Sequence, residues 1–337
     1  MLLTRHGEAP AASYASGWAD LVLAKAQALV CRHACTDHQR RLLQIALIGL
    51  EVQSREMEAP AFTHLPLLVY CGLRGDHRPA ISLAAITSMI FLGMDIMDDL
   101  ADGDRPAHWV GHRPGEINLA AATLLCALPQ LALAELDAPP DRLAIMHATL
   151  ARGLLRVGAG QQRDLEMVDS ADASADEVEA VLNAKGEEMA IFAALAAHFG
   201  GASAERAEAY ASLGRAIGIA GQLASDCYDL FTDSDSRDLM HGTRTLPIVL
   251  HLKRQVGEER VLFLALLERA REDVVVRGVV RERLRTAGEL RHCALMVEVH
   301  CQRARRTLEQ VSPMEPARTG LLAMIDGISF FPKGAPP

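Results

Sequence analysis

The chain has 337 residues, half of them hydrophobic, and a formal net charge of −9 at pH 7. This acidity argues against a nucleic-acid-binding surface, which would need a basic stripe. The seven cysteines show no CxxC pair and no zinc or disulfide spacing, and no apolar signal segment follows Met1, so we expect a cytoplasmic protein.

Helical periodicity dominates the chain, because apolar residues recur at i, i+3 and i+4 in long alanine- and leucine-rich segments. The gaps between these segments have loop length, and no series of strands is evident. We therefore predict one all-α domain of about ten or more helices over residues 36–331, with a helical extension at 1–35 and a disordered tail at 332–337. The predicted helices are 18–29, 40–52, 82–97, 117–136, 142–157, 175–198, 204–230, 246–254, 261–271, 288–311 and 317–328.

The most apolar segment, 117–134, is long enough to span a bilayer. It contains Asn118, Pro129 and Gln130, which favour a buried core helix instead.

Five carboxylates fall within residues 94–104, directly after an almost uncharged apolar segment at 81–93. On a helix, Asp98 and Asp102 stand one turn apart, and like charges at that spacing repel. A helix whose preceding turns are buried would hardly carry such charges without a bound cation. Oxygen ligands favour Mg2+ or Mn2+ over zinc. The alternative interpretation is a solvated acidic helix end.

A second acidic pair, Asp226 and Asp229, lies three residues apart at the end of another apolar helical segment. Arg237 and Arg244 follow it. Two acidic helix faces with nearby cations would form a cage for a diphosphate bridged by Mg2+, which usually binds through a few carboxylates, waters and substrate phosphates. Taken alone, the pair would more often lie on a solvated surface.

Together these segments resemble the trans-polyprenyl diphosphate synthase family. The residues at 98–102, DDLAD, are similar to the first DDxxD motif of that family, and those at 160–165, GQQRDL, match its GQxxDL signature. Residues 222–229 resemble the QxxDDxxD motif, with Ser225 in place of its first Asp. Further similarities are Lys185-Gly186 at the position of Lys-Thr, and Arg237-Asp238-Leu239 and Arg244-Thr245-Leu246-Pro247 at the K-D-L and K-x-T-L-P pieces.

The resemblance implies a single-domain isoprenoid synthase bundle with a central active-site cavity, an allylic isoprenyl diphosphate substrate and a homodimer. It also implies a prenyltransferase that needs Mg2+ or Mn2+. The metal ligands would be Asp98, Asp99, Asp102, Asp226 and Asp229, which together with Lys185 form the catalytic set. The diphosphate would be contacted by Arg105, Lys185, Arg237, Arg244, Gln161 and Gln222.

The basic segment of the family, GGKRxRP, is missing from this chain. That segment binds the diphosphate of isopentenyl diphosphate, the usual acceptor, and its place is taken by residues 60–68. Phe62 and Leu65 stand at its two phosphate-binding positions, and Phe91 replaces a His or Gln. Each lost charge-assisted hydrogen bond is worth roughly 1.5–3 kcal/mol. We therefore predict transfer of the prenyl cation to a different acceptor.

The residues just before the first acidic motif indicate the depth of the pocket. By the same resemblance, Met94 and Gly93, four and five residues before the first motif, imply room for a farnesyl (C15) or geranylgeranyl (C20) chain, with Phe91 as a floor or wall.

One alternative function is a terpene cyclase of the same fold, although the chain has few aromatic residues. The other is a non-catalytic subunit of a heteromeric prenyl synthase, against which the retained acids argue.

Overall fold

The computed structural model describes residues 17–56, 60–232 and 235–331, and every regular element within these ranges is helical. The predicted all-α class is thereby confirmed. The predicted tail at 332–337 lies outside the described residues. In chain order the helices are α1 (Trp18–His33), α2 (Asp37–Glu56), α3 (Ala61–Arg74), α4 (Ile81–Asp102), α5 (Pro114–Ala122), α6 (Leu128–Ala134), α7 (Pro140–Met167), α8 (Ala175–Phe199), α9 (Ala204–Thr232), α10 (Arg237–His241), α11 (Leu246–Arg254), α12 (Gly257–Ala270), α13 (Val274–Thr286), α14 (Glu289–Val311) and α15 (Ala317–Ile328).

Three of these helices were not predicted, namely α3, α10 and α13. A single π-helical turn, Thr123–Ala127, joins α5 to α6, so the predicted helix 117–136 is interrupted. The N-terminal helix α1 packs against α2 and α4, and is therefore part of the bundle as far as it is described. The boundary predicted at residue 36 stays a prediction.

The centre of the bundle is formed by α8 and α9, with α7 and α3 packed on α8 and α14 packed on α9. The second half of α8 is apolar on all sides and buried, as expected for a helix enclosed by neighbours. Its start is defined by a capping box, in which Ser174 and Glu177 exchange backbone and side-chain hydrogen bonds of 2.9 and 3.2 Å.

Glycines allow the backbones of the central helices to touch. A Cβ atom on Gly214 of α9 would lie 2.2 Å from the carbonyl oxygen of Met189 in α8, and one on Gly218 would lie 2.9 Å from the Cα atom of Gly186. A Cβ atom on Gly160 of α7 would lie 2.0 Å from that of Ala184. These close crossings bring the C-terminal part of α7 and the middle of α9 next to the middle of α8.

Two helical stretches are long and apolar enough to cross a membrane, Arg78–Asp102 and Pro114–Ala134. This result reflects length and composition only, and 67% of the first stretch is buried inside the protein. Only 44% of the second is buried, and Leu119 and Leu131 are 69% and 51% exposed. The predicted core helix at 117–134 is therefore buried on one face only.

Candidate active site

The two acidic motifs occupy the C-terminal turns of α4 and α9. Helix α4 ends at Gly103, which has a left-handed φ of 80° and donates its backbone N–H to the carbonyl oxygen of Asp99. The C-terminal end of a helix carries partial negative charge, so carboxylates are unfavourable there unless cations compensate them. The location of both motifs therefore adds to their mutual repulsion and favours cation binding.

Carboxylates of the first motif interact with amides from other helices. Gln161 of α7 donates its Nε2–H to Asp98, and Gln53 of α2 donates to Asp95 over 2.8 Å. Burial and the neighbouring charge of Asp95 raise the pKa of Asp99 to about 6. Burial and Asp98 likewise raise the pKa of Asp102 above its usual range. The motif thus carries more negative charge than its protein neighbours neutralise.

The second motif divides into two roles. Asp226 accepts a 2.7 Å hydrogen bond from Gln222, and burial raises its pKa to about 6 despite the nearby Lys185 ammonium. Asp229 instead caps α10, accepting hydrogen bonds from the Ser236 hydroxyl at 2.5 Å and from the Arg237 backbone N–H at 2.9 Å. Asp229 thereby fixes the start of α10, and its metal role stays a prediction.

Lys185 of α8 lies between the two motifs. Its Nζ atom is 2.8 Å from a carboxylate oxygen of Asp164 in α7. Burial alone would lower the pKa of Lys185, but the charges of Asp164, Asp98 and Asp226 outweigh burial and raise it. The ammonium is therefore charged at physiological pH and lies near acids of both motifs, and its contact with a diphosphate stays a prediction.

Helix α10 brings cations to the first motif across the site. The Arg237 guanidinium is 3.4 Å from Asp104 and 4.0 Å from Asp99. His241 lies 3.6 Å from Asp102 and 3.5 Å from Asp104. The structure thus places Arg237 next to carboxylates of the acidic run at 94–104, and its contact with a diphosphate stays a prediction.

Other predicted site residues lie elsewhere. Arg244 is buried and donates to the carbonyl oxygens of Ser170 and Gly242 at 2.7 and 2.9 Å, and its charged neighbours include Asp169 rather than either acidic motif. Arg244 links two loops, because a buried guanidinium must donate its N–H groups to nearby acceptors. Arg105 is exposed and has no hydrogen bond or ion pair with any described residue.

Gly93 does not open the cavity in the way the sequence suggested. A Cβ atom there would lie 3.0 Å from the Ala121 carbonyl oxygen and 3.0 Å from Leu125. The missing side chain therefore permits close packing of α4 against α5 and the π-helical turn. Met94 packs against the core as well, while remaining partly exposed.

Residues 60–68, which replace the basic motif, place apolar side chains in the core. The ring of Phe62 stacks on Phe91 with centroids 4.2 Å apart. Phe62 and Leu65 are 2% and 0% exposed, so both belong to the core between α3 and α4. Below them, the Thr87 hydroxyl donates to the Phe62 carbonyl oxygen over 3.0 Å. This packing leaves no cation at either side-chain position.

The carboxylates fit a hard divalent ion shared with a substrate. Within residues 17–56, 60–232 and 235–331, no three His, Cys, Asp or Glu side chains are close enough to hold a metal by themselves. All candidate ligands are oxygens, and burial raises the pKa of Asp99 and of Asp226 to about 6. This donor set suits Mg2+ or Mn2+ completed by phosphate oxygens and water.

Several site residues were missed at the sequence level. Asp95 and Asp104 flank the first motif and were counted only as part of an acidic run, and Asp164 belongs to a recognised signature. Glu188 lies one helical turn after Lys185, a spacing that could have identified it. The remaining two, Gln53 and His241, carry no sequence signal that we can identify.

Comparisons with known proteins agree with this geometry. A family model described as "Polyprenyl synthetase" matches residues 63–282. The short chain isoprenyl diphosphate synthase of Methanothermobacter thermautotrophicus is 25% identical over 275 residues, covering 78% of this chain and 83% of the relative. The nonaprenyl diphosphate synthase of Mycobacterium tuberculosis is 24% identical over 282 residues, covering 79% and 80%.

Solved structures share the fold. The geranylgeranyl pyrophosphate synthetase from Pyrococcus horikoshii superposes with a TM-score of 0.79 at 21% identity, covering 94% of this chain and 97% of that one. A decaprenyl diphosphate synthase from Rhodobacter capsulatus superposes with a TM-score of 0.75 at 19% identity, covering 95% and 98%. At these identities the likeness establishes the architecture alone.

Proposed function

This chain belongs to the polyprenyl synthetase family, and from that membership we propose that it ionises farnesyl or geranylgeranyl diphosphate and transfers the prenyl cation to an acceptor other than isopentenyl diphosphate. Family membership makes it a prenyltransferase. The choice of allylic chain and of acceptor is our proposal. It rests on one observation, the stacked pair of Phe62 and Phe91 where phosphate-binding cations would be needed.

The allylic diphosphate would lie between the two acidic helix ends. Lys185 binds the leaving diphosphate, and Arg237 lies on the opposite side of the acidic site. Magnesium ions held by the carboxylates would supply Lewis-acid stabilisation of the charge that develops on the leaving group. Those ligands would be Asp98, Asp99 and Asp102 of α4 with Asp226 and Asp229 of α9.

The protein residues perform the remaining tasks of ionisation. Gln161 and Gln222 hold Asp98 and Asp226 in fixed orientations through their amide groups. The apolar walls near Phe91 exclude water, which would otherwise capture the allylic cation. Preoriented charges of this kind stabilise the transition state without reorganising during the reaction.

The acceptor half lacks the charges that a second diphosphate requires. Phe62 and Leu65 are core residues, and Asp95, one helical turn after Phe91, accepts a hydrogen bond from the Gln53 amide. Bringing a polyanion to these groups would cost desolvation without supplying paired donors. This distribution of charge supports an acceptor that is not a diphosphate.

A product analysis tests the proposal. The purified protein with Mg2+ and farnesyl or geranylgeranyl diphosphate should release diphosphate, and adding isopentenyl diphosphate should give no longer chains by mass spectrometry. Efficient formation of elongated all-trans products would refute it. The double variant Asp98→Asn and Asp99→Asn is the matched control and should release no diphosphate. Full activity of that variant would contradict the metal assignment.

A terpene cyclase is a second candidate function, supported by the partly exposed ring of Phe91, which stacks on the buried Phe62. Aromatic faces stabilise positive charge as it moves along a prenyl chain. A volatile hydrocarbon formed from one allylic diphosphate alone would decide for this candidate. Absence of diphosphate release from any allylic substrate would instead favour the non-catalytic subunit.

We also propose that the protein is a homodimer. Helices α5 to α7 expose Leu119 and Leu131 together with Leu155, which is 76% exposed, on an otherwise folded bundle. Exposed large apolar side chains of this kind mark interaction surfaces. The cytoplasmic location and the absence of a nucleic-acid partner stay predictions.

A further inference from the structure

The part of the site near Asp95, where the prenyl acceptor would bind, contains a glutamine amide with only one of its two polar atoms hydrogen-bonded. Gln53 donates its Nε2–H to Asp95 over 2.8 Å. Its Oε1 atom is buried and has no hydrogen-bond partner. A buried acceptor without a donor destabilises the folded protein unless a ligand or water supplies that donor. Gln53 therefore points to a missing hydrogen-bond donor next to Asp95.

Glu188 of α8 is a second acceptor without a donor. Its neighbour Glu187 is held by Arg156 and Arg215, each at 2.8 Å. In contrast, Glu188 makes no hydrogen bond or ion pair with any residue that the structure describes. Burial, opposed in part by the Lys185 charge, raises the pKa of Glu188 to about 7. This carboxyl is thus retained inside the site at an energetic cost.

The same part of the site contains an aromatic surface. Helix α8 packs against α4, and the charge of Asp95 contributes to the raised pKa of Glu188. Phe91 lies one turn before Asp95 on the same face of α4, and its ring stacks on Phe62. Among the described residues, the Gln53 Oε1 atom and Glu188 have no donor and Asp95 accepts a hydrogen bond from Gln53, so acceptors outnumber donors about one helical turn from the partly exposed ring of Phe91. Their common requirement is a ligand that donates hydrogen bonds and carries no negative charge.

We infer that the acceptor is an amine, alkenyl or aromatic, whose ammonium or N–H group is held by Asp95, Gln53 and Glu188 while its π face lies on Phe91. This inference rests on the proposed function. An ammonium offers three donors and no acceptor, which suits the Gln53 Oε1 atom and Glu188, both without donors, and a further oxygen lone pair of Asp95. A cationic nitrogen beside an aromatic face gains further stabilisation.

The transfer step balances with this acceptor. The carbon–oxygen bond of the allylic diphosphate breaks, and its electron pair leaves with the diphosphate. A π-bonded carbon of the amine forms a bond to the allylic carbon, and the proton lost from the acceptor passes to the released diphosphate.

Three probes with one carbon skeleton test the inference. They are 3-methyl-3-butenylammonium, the neutral 3-methyl-3-buten-1-ol and isopentenyl diphosphate, titrated calorimetrically into the protein with Mg2+ and inorganic diphosphate. The ammonium should bind the wild type most tightly. Glu188→Gln and Asp95→Asn should each weaken the ammonium by about tenfold or more, the factor that one charge-assisted hydrogen bond corresponds to. Binding of the alcohol should hardly change.

Controls separate recognition from folding and from metal binding. Glu309→Gln removes an exposed acid elsewhere and should leave the ammonium-to-alcohol ratio unchanged. Because each variant is assessed by the ratio of its ammonium affinity to its alcohol affinity, a general loss of folded protein would not mimic the result. Equal binding of ammonium and alcohol, or an unchanged ratio in both variants, would overturn the inference. So would a loss of Mn2+ binding in these variants without any change in the ratio.

The proposed function can fail independently. Elongation of farnesyl diphosphate with isopentenyl diphosphate by the wild type would refute the proposed function whatever the ratio. An unchanged ratio without elongation would refute only the amine.

Discussion

Binding of divalent metal should depend steeply on pH between 5 and 7, because the ion must compete with protons for Asp99 and Asp226. Both carboxyls have a pKa of about 6 in the ion-free protein. At pH 5 each would be about nine-tenths protonated, and freeing the two costs about 2.7 kcal/mol together. An ion that uses both should therefore bind about 100-fold more weakly at pH 5 than above pH 7.

Electron paramagnetic resonance of free Mn2+ measures this dependence without a titrating phosphate ligand. The logarithm of the apparent affinity should rise with pH at a slope approaching two below pH 6 and flatten above pH 7. Asp226→Asn should reduce the slope to about one, because a single proton is then displaced. A flat profile for the wild type between pH 5 and 7 would refute the assignment of these carboxyls as ligands.

Stability of the ion-free protein should show the opposite trend. Since the folded-state pKa of both groups is raised, the folded protein binds more protons than the unfolded chain between about pH 4 and 6, so the free energy of unfolding falls as pH rises through that window. Saturating Mn2+ should remove the fall within that window, because the bound ion keeps both carboxyls ionised in the folded protein.

Three further outcomes follow from the packing and the charges. Gly214→Ala should lower the free energy of unfolding by about 1–3 kcal/mol or more, because its Cβ atom would meet the Met189 carbonyl. Gly115→Ala, with open space around the new Cβ atom, should change the free energy of unfolding little. Chemical denaturation measures both variants, and equal effects would contradict the close crossing. Lys185→Met should lower kcat/KM for the allylic diphosphate by about 100-fold or more while circular dichroism stays unchanged, and an unaltered kcat/KM would remove Lys185 from the site. Leu155→Asp should shift the mass measured by light scattering from dimer to monomer, and a mass that never exceeds one chain in the wild type would refute the dimer.

Much of the fold could be predicted because its long helices carry clear periodic patterns. The observed α8 and α9 begin at the predicted Ala175 and Ala204 and extend only slightly further. Helix α3 escaped prediction because it is buried on nearly all sides and contains Pro66, so it lacks an amphipathic pattern. Helix α13 begins with three valines, which have low helix propensity, and depends on the Asp273 cap.

The candidate site was predictable where its residues belong to local patterns. Acids of both motifs lie near Lys185, and their metal and diphosphate roles stay predictions. The position of Arg244 was not predictable, because only tertiary packing determines that its donors go to loop carbonyls. The space beside Gly93 was misjudged for the same reason, since Leu125 of a distant turn fills it. Sequence patterns specify faces of helices, whereas burial decides what occupies the space between them.

The interface between α8 and α9, which contains glycine contacts, is more rigid than the interface between α3 and α4. Where backbones touch at Gly214 and Gly218, no side chain can rotate to widen the gap. The contact between α3 and α4, in contrast, is made by side chains such as Phe62 and Phe91, which can change rotamer. The interface between α3 and α4 can therefore adjust to a prenyl chain more easily than the glycine crossing can, so directed evolution for bulkier substrates should target that interface and leave the glycine crossing intact.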